Sequence, residues 1–212
     1  MGSAPVYDDV YLRHSVRTAV KLLIVGHFAV GKTTFVGTLS EIRPLRTEET
    51  MTQAGTFVDD LAGVDGKDTT TVAMDFGRLT LNDNLVLYLF GVPGQQRFTR
   101  LWQDLSYGAL GALVLADTRR LEHSFDVIGR LEELGLRYAV AINHFDGAPT
   151  FPEEELREAL DLLPSTPLVT CDARDRGSAT QALITLAEYL RTATDDTTDD
   201  TTTDMTADQE PL

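Results

Sequence analysis

The run Gly26-His27-Phe28-Ala29-Val30-Gly31-Lys32-Thr33-Thr34 combines two glycines, an amine and hydroxyls in an order suited to holding a polyphosphate. The glycines let the backbone curl so that successive N–H groups converge on phosphate oxygens. Lys32 supplies a mobile positive charge for the outer phosphates, and the Thr33 hydroxyl is a hard oxygen donor for Mg2+. Residues His27 to Thr34 are therefore the candidate phosphate cradle. No other histidine stands at metal-ligand spacing from His27, so it reads as a loop side chain, not a ligand. Phe28 either lines the pocket wall or hinders a water or an arginine from reaching the transferred phosphate.

A second cluster, Asn143-His144-Phe145-Asp146, is followed by Cys171-Asp172-Ala173-Arg174. A carboxylate at Asp146 can accept two hydrogen bonds from the guanine N1–H and exocyclic amine, a donor pair that adenine lacks. Asn143 would brace the loop, and the Ala173 N–H could meet the guanine oxygen. A third stretch runs from Leu87 through Gly91-Val92-Pro93-Gly94-Gln95-Gln96-Arg97 to Phe98. It leaves an apolar segment for a turn carrying two amides and an arginine, but no carboxylate.

Short apolar runs alternate with amphipathic stretches and supply the elements needed to position these clusters. Strands are expected over Val20–Val25, Val72–Thr80, Leu85–Phe90, Ala112–Asp117, Tyr138–Asn143 and Leu168–Thr170. Helices are expected over Lys32–Glu41, about Arg97–Tyr107, Ser124–Leu134, Pro152–Leu162 and Ser178–Arg191, with Ser124 and Ser178 as N-caps and Pro152 in a first turn. The turn Leu81-Asn82-Asp83-Asn84 is too short for a helix and forces an antiparallel hairpin. The expectation is a six-stranded, mostly parallel α/β sheet with one antiparallel strand and helices on both faces, a P-loop nucleotide-hydrolase architecture. Residues 41–71 read as a long functional loop, with room for a short helix.

The chain has 212 residues, 42% of them hydrophobic, enough for one sizeable core. The expected organisation is an N-terminal extension (1–17), one domain (18–192) and an acidic disordered tail (193–212). That tail holds seven of the 33 acidic residues and no Lys or Arg, leaving 26 acidic against 18 basic groups and a net charge of -8 elsewhere. Such a balance excludes nucleic acid as the main ligand and direct adsorption to anionic lipid. Asp8 and Asp9 stand where a signal peptide would carry basic residues, and one cysteine, Cys171, forms no internal disulfide. A cytoplasmic protein without direct membrane insertion is expected, recruited to a membrane only through a partner.

Over residues 18–192 the chain resembles the Ras-like small GTPases. It is most similar to the bacterial branch that works with Roadblock proteins: the conservon GTPases of actinobacteria, related to the gliding-motility polarity GTPase. Gly-His-Phe-Ala-Val-Gly-Lys-Thr-Thr, Val-Ala-Met-Asp-Phe-Gly, Pro-Gly-Gln, Ala-Asp-Thr-Arg-Arg and Cys-Asp-Ala-Arg-Asp carry the resemblance. It implies GTP or GDP as bound nucleotide with Mg2+, held by Thr33 and, in the GTP state, by Thr71, with Thr69 and Thr70 as neighbouring alternatives. It also implies that Gln95 positions the attacking water, that Lys32 serves the transferred phosphate, and that the Gly94 N–H senses the third phosphate.

His144 replaces the lysine of the N-K-x-D motif, Arg174 stands where S-A-K has lysine, and Gly91 takes the place of the D-x-x-G aspartate. The last change predicts weaker Mg2+ dependence of nucleotide retention. The arginines Arg43, Arg46 and Arg97 are candidates for the transition state or simply solvated.

The expected function is a slow GTP-hydrolysing switch that signals through a Roadblock/LC7-type partner in a sensor-kinase-like complex. The alternatives are a nucleotide-binding module with little hydrolysis and an ATP-using small-molecule kinase. Phe98, Leu101 and Trp102 face the core or form a docking face for that partner.

Overall fold

A computed structural model describes residues 15–51, 70–94 and 99–199, with backbone alone at 46–51, 70–73, 99–100 and 193–199. In chain order the elements are β1 (Thr18–Val25), α1 (Lys32–Leu39), β2 (Leu45–Met51), β3 (Thr70–Asn82), β4 (Leu85–Gly91) and α2 (Thr99–Ser106). They continue with β5 (Ala109–Ala116), α3 (Phe125–Glu133), β6 (Tyr138–Asn143), α4 (Glu153–Ala159), β7 (Leu168–Cys171) and α5 (Arg176–Asp199). The sheet order is β2-β3-β4-β1-β5-β6-β7.

The expected α/β architecture is present. β3 runs against both its neighbours while β1, β4, β5, β6 and β7 are mutually parallel, so a single strand opposes the rest. All six expected strands form, and β2 joins them as a seventh, inside the segment read from sequence as a loop. Its sequence LRTEETM contains no apolar run because it lies at the edge of the sheet and pairs with β3 alone. Charged residues are tolerated at an edge, where they also deter pairing with other chains. Residues 52–69 of that segment lie outside the described residues.

β1 sits at the middle of the sheet and explains its own composition. Leu22 and Ile24 point to one face, Leu23 and Val25 to the other, all at most 1% exposed. The first pair joins a core with Phe35, Val36 and Leu39 of α1 and Ala182, Leu186 and Leu190 of α5. The second joins Trp102 of α2, Val127 and Leu131 of α3 and Leu156 of α4. Two apolar layers thus clamp a strand whose carboxyl end is left free to enter the phosphate cradle.

Two N-caps differ from expectation. α5 begins at Arg176, and Asp175 caps it by accepting the Ser178 N–H at 2.7 Å, while the Ser178 hydroxyl accepts the Asp172 N–H at 2.9 Å. Ser124 is buried in a 3-10 turn (Leu121–Ser124) that runs directly into α3 and makes no capping bond. α5 also continues to Asp199, past the expected domain end at 192. Extending a formed helix fixes one residue per hydrogen bond, far cheaper than starting one, so polar residues with nothing to bury can follow.

Candidate nucleotide-binding site

The loops that leave β1, β4, β5, β6 and β7 emerge at one edge of the sheet, on both sides of β1. That is the switch point where doubly wound sheets bind ligands. Gly26 takes φ +142°, and a side chain there would meet the Leu115 carbonyl oxygen at 2.4 Å. Gly31 takes φ +105°, with room for no Cβ beside Asn143 Nδ2. Ala29, at φ 63°, completes the curl, and Val30 between them is fully buried. The Thr38 hydroxyl of α1 donates to the Ala173 carbonyl at 2.7 Å, tying the cradle's helix to the loop after β7.

Lys32 Nζ donates to the carbonyls of Gly26 at 2.9 Å and His27 at 2.7 Å, folding back over the loop it belongs to. Burial pushes the amine down to about 8, opposed in part by the Asp75 carboxylate. His27 Nδ1 lies 2.5 Å from the Phe28 carbonyl oxygen, and its ring stands 5.6 Å from that of His123. Burial lowers its pKa against the pull of Asp117. Phe28 is 74% exposed, at the rim of the loop and not packed in a wall.

On the base side, Asn143 is buried and uses both ends of its amide. Nδ2 donates to the Val30 carbonyl, and Oδ1 accepts the Ala173 N–H, each at 2.9 Å. The Ala173 N–H expected to face a guanine oxygen is therefore spent on Asn143, and the adjacent Arg174 N–H on Asp172 Oδ1. Asp146 is 84% exposed, and the Arg174 guanidinium reaches it at 3.3 and 3.4 Å while holding Asp172 at 2.9 Å. Those Arg174 bonds hold the Asp172 carboxyl down to about 2. His144 Nε2 stands 3.7 Å from Asp146, so an arginine and a histidine flank the carboxylate proposed to read the base.

On the phosphate side, Gly94 is drawn so close to the cradle that a Cβ would lie 2.4 Å from the Gly26 carbonyl oxygen. Gln95, Arg97 and Phe98 lie outside the described residues, and Arg43 is exposed. Thr71 is not brought to Thr33. It pairs with Thr50 near the start of β3, four strand positions from Asp75, or about 13 Å along an extended chain. Trp102 is 1% exposed and donates its indole N–H to the Pro93 carbonyl at 2.9 Å. It is a core residue bonded to the loop before Gly94, the first of the two readings its spacing allowed.

Two carboxylates were missed from sequence. Asp75, 7% exposed, pairs in register with Gly91 and accepts the Thr33 hydroxyl at 2.5 Å. Asp117, 1% exposed after β5, holds Arg119 through a bidentate contact, and that guanidinium lies 3.9 Å above the Phe145 ring. The signal for Asp75 was periodicity: Asp75, Gly77 and Leu79 share the inward face of β3, where a carboxylate needs a reason.

This fold and site define a nucleotide-binding P-loop domain. The chain belongs to the family described as conserved hypothetical ATP binding protein, whose model matches residues 24–193. No curated protein matches it by sequence. Among solved structures it is similar to the cytosolic domain of the FeoB iron transporter of T. maritima in a GDP form, at 16% identity and a TM-score of 0.56. That match covers 92% of this chain and 68% of the other. A second GDP form of the same domain matches at 18% identity and TM-score 0.58, over 82% of this chain and 64% of that one. The FeoB G-domain of Methanococcus jannaschii matches at 14% identity and TM-score 0.54, over 82% of this chain and 98% of that one. These likenesses establish the shared fold. No described helix is long and apolar enough to cross a membrane.

Proposed function

We propose that the chain is a guanine-nucleotide switch that slowly hydrolyses GTP to GDP and phosphate. The observation that carries this reading is Asn143, which ties the phosphate loop at Val30 to the loop after β7 at Ala173 and sits three residues before Asp146. One buried amide thereby sets the spacing between a polyphosphate cradle and a carboxylate suited to guanine. The family description names ATP, whereas the FeoB domains similar in fold are described in GDP forms. The donor pair that only guanine offers to Asp146 favours the second.

For that base to bind, Asp146 must exchange its Arg174 contacts, at 3.3 and 3.4 Å, for the guanine N–H groups. Arg174 remains anchored by Asp172 at 2.9 Å, so its planar guanidinium stays beside the base. Lys32 would turn from its two carbonyls to the outer phosphates. Thr33 fits an Mg2+ site, because its hydroxyl can lend a lone pair to a cation while donating its proton to a carboxylate. When bound, Mg2+ neutralises charge on the outer phosphates. Thr71 would join that site only if the start of β3 moved toward Thr33. In this reading that movement, with Gly94 against the cradle, is the nucleotide-dependent change.

Gln95 orients the attacking water, and a Roadblock/LC7-type protein in a sensor-kinase-like complex reads the state and stimulates turnover. The protein works in the cytoplasm and reaches a membrane only through that partner. Single-turnover GTP hydrolysis with and without such a partner tests the reading. Gln95→Ala is expected to slow turnover by about 100-fold. Tight GTP binding with no hydrolysis under either condition would mark a binding module instead.

A further inference from the structure

The segment Asp117-Thr118-Arg119 leaves β5 around a buried charge. Asp117 is 1% exposed, and a carboxylate at that depth must be matched by donors. Arg119 matches it: the backbone N–H donates to Oδ1 at 2.9 Å, Nε to Oδ1 at 3.0 Å and Nη2 to Oδ2 at 2.7 Å. Two fork contacts on one carboxylate fix the orientation of the guanidinium. Its central carbon lies 3.9 Å from the centroid of the half-buried Phe145 ring, well inside the ~6 Å reach of a cation on an aromatic face. Phe145 immediately precedes Asp146, which is 84% exposed and too open to be held by packing of its own. The loop that carries both is gripped at several points. The His144 N–H donates to the Cys171 carbonyl at 2.7 Å, and the Ala148 N–H closes a turn onto the Phe145 carbonyl at 3.0 Å. The Thr118 hydroxyl donates to the Pro149 carbonyl at 2.7 Å, so consecutive residues 118 and 119 hold both 149 and 145.

We infer that Asp117 and Arg119 are positioning residues of the base site, acting through Phe145 to hold Asp146 where the base enters. The inference rests on the reading of Asp146 as the carboxylate that receives guanine. An exposed carboxylate selects a base well only if its backbone is already in place, because a loop ordered part of the time lowers apparent affinity by the fraction in place. The clamp supplies that order through the neighbouring ring. Arg174 bonds the Asp146 side chain and must yield to the base, whereas Arg119 packs on the residue beside it and stays. The Asp117 charge offsets that of Arg119, so the clamp brings a flat cationic face with no net charge. The same connection carries His123, whose ring stands 5.6 Å from that of His27, so one segment meets both the phosphate loop and the base loop.

The test measures GDP affinity of the full chain, with folding checked by thermal unfolding. Phe145→Leu keeps apolar bulk and strands no charge, and it should weaken GDP binding about 3- to 30-fold, the range set by losing a cation–π contact. Phe145→Tyr, which restores the ring face, should recover most of that loss. Arg119→Met should lose at least as much as Phe145→Leu, but it strands Asp117 and is the harsher probe, so Phe145→Leu carries the test. In an Asp146→Asn background, Phe145→Leu should cost less than about twofold, since no carboxylate is left to place.

A loss that depends on Asp146 supports the inference, and an equal loss in both backgrounds overturns it as a general packing effect. Wild-type GDP affinity in folded Phe145→Leu or folded Arg119→Met also overturns it. So does Phe145→Tyr binding no better than Phe145→Leu, because the ring face would then be irrelevant. If Asp146→Asn alone leaves GDP affinity unchanged, or the wild type binds no guanine nucleotide, the reading of the base site fails and the inference falls with it.

Discussion

Lys32 shows how an ordinary side chain is made ready for its ligand. Its amine is buried against two loop carbonyls, and burial brings its pKa down to about 8. Between that value and the ordinary 10.5 the folded chain holds fewer protons than the unfolded one, so this group makes stability rise with pH across that window. Nucleotide binding should work in the opposite sense. A polyphosphate favours the ammonium, so above pH 8 the free protein must take up a proton to bind, and affinity falls as pH rises. Calorimetry of GDP binding above pH 8, in buffers of different ionisation enthalpy, should show proton uptake that Lys32→Met abolishes. Most of the cradle was legible at this scale because His27 to Thr34 are contiguous and their order encodes the geometry. Asp75 was not, because it reaches Thr33 from 42 residues away through a strand register that the linear sequence does not display.

At the scale of elements, α2 is tied to the loop it follows. The Trp102 ring fills the core beneath β1 and β5, and its N–H holds the Pro93 carbonyl, one residue before the Gly94 that touches the phosphate loop. Packing and loop position are thus joined in one side chain. Trp102→Phe should retain much of the packing and lose roughly 1 kcal/mol with the hydrogen bond, whereas Trp102→Ala should cost about 3–5 kcal/mol. Denaturant unfolding measures both, and equal small losses would show that the ring is not a core residue. The heptad-like spacing of Phe98, Leu101 and Trp102 left core and docking readings open, since an apolar stripe looks the same whether the fold or a partner covers it. β2 escaped notice for a related reason. An edge strand has one backbone partner and little to bury, so LRTEETM carries no apolar period.

For the whole molecule, a central strand with two apolar faces explains why the chemistry collects where it does. Each parallel strand delivers its carboxyl end to one edge, and clusters separated by more than a hundred residues meet there: Val30 with Asn143, and Thr38 with Ala173. The alternation of apolar runs with helical stretches made this architecture legible, because a fully covered strand must be apolar on both faces. Base choice was less legible, since it depends on how Arg174 and His144 share an exposed carboxylate.

The most direct measurement is therefore competitive binding of GDP and ATP to the full chain in Mg2+, repeated with Asp146→Asn. The account predicts that GDP binds at least ~100-fold more tightly than ATP, the scale of selection by paired hydrogen bonds, and that the variant loses most of this preference. ATP binding as tight as GDP, or a preference unchanged by Asp146→Asn, would contradict it.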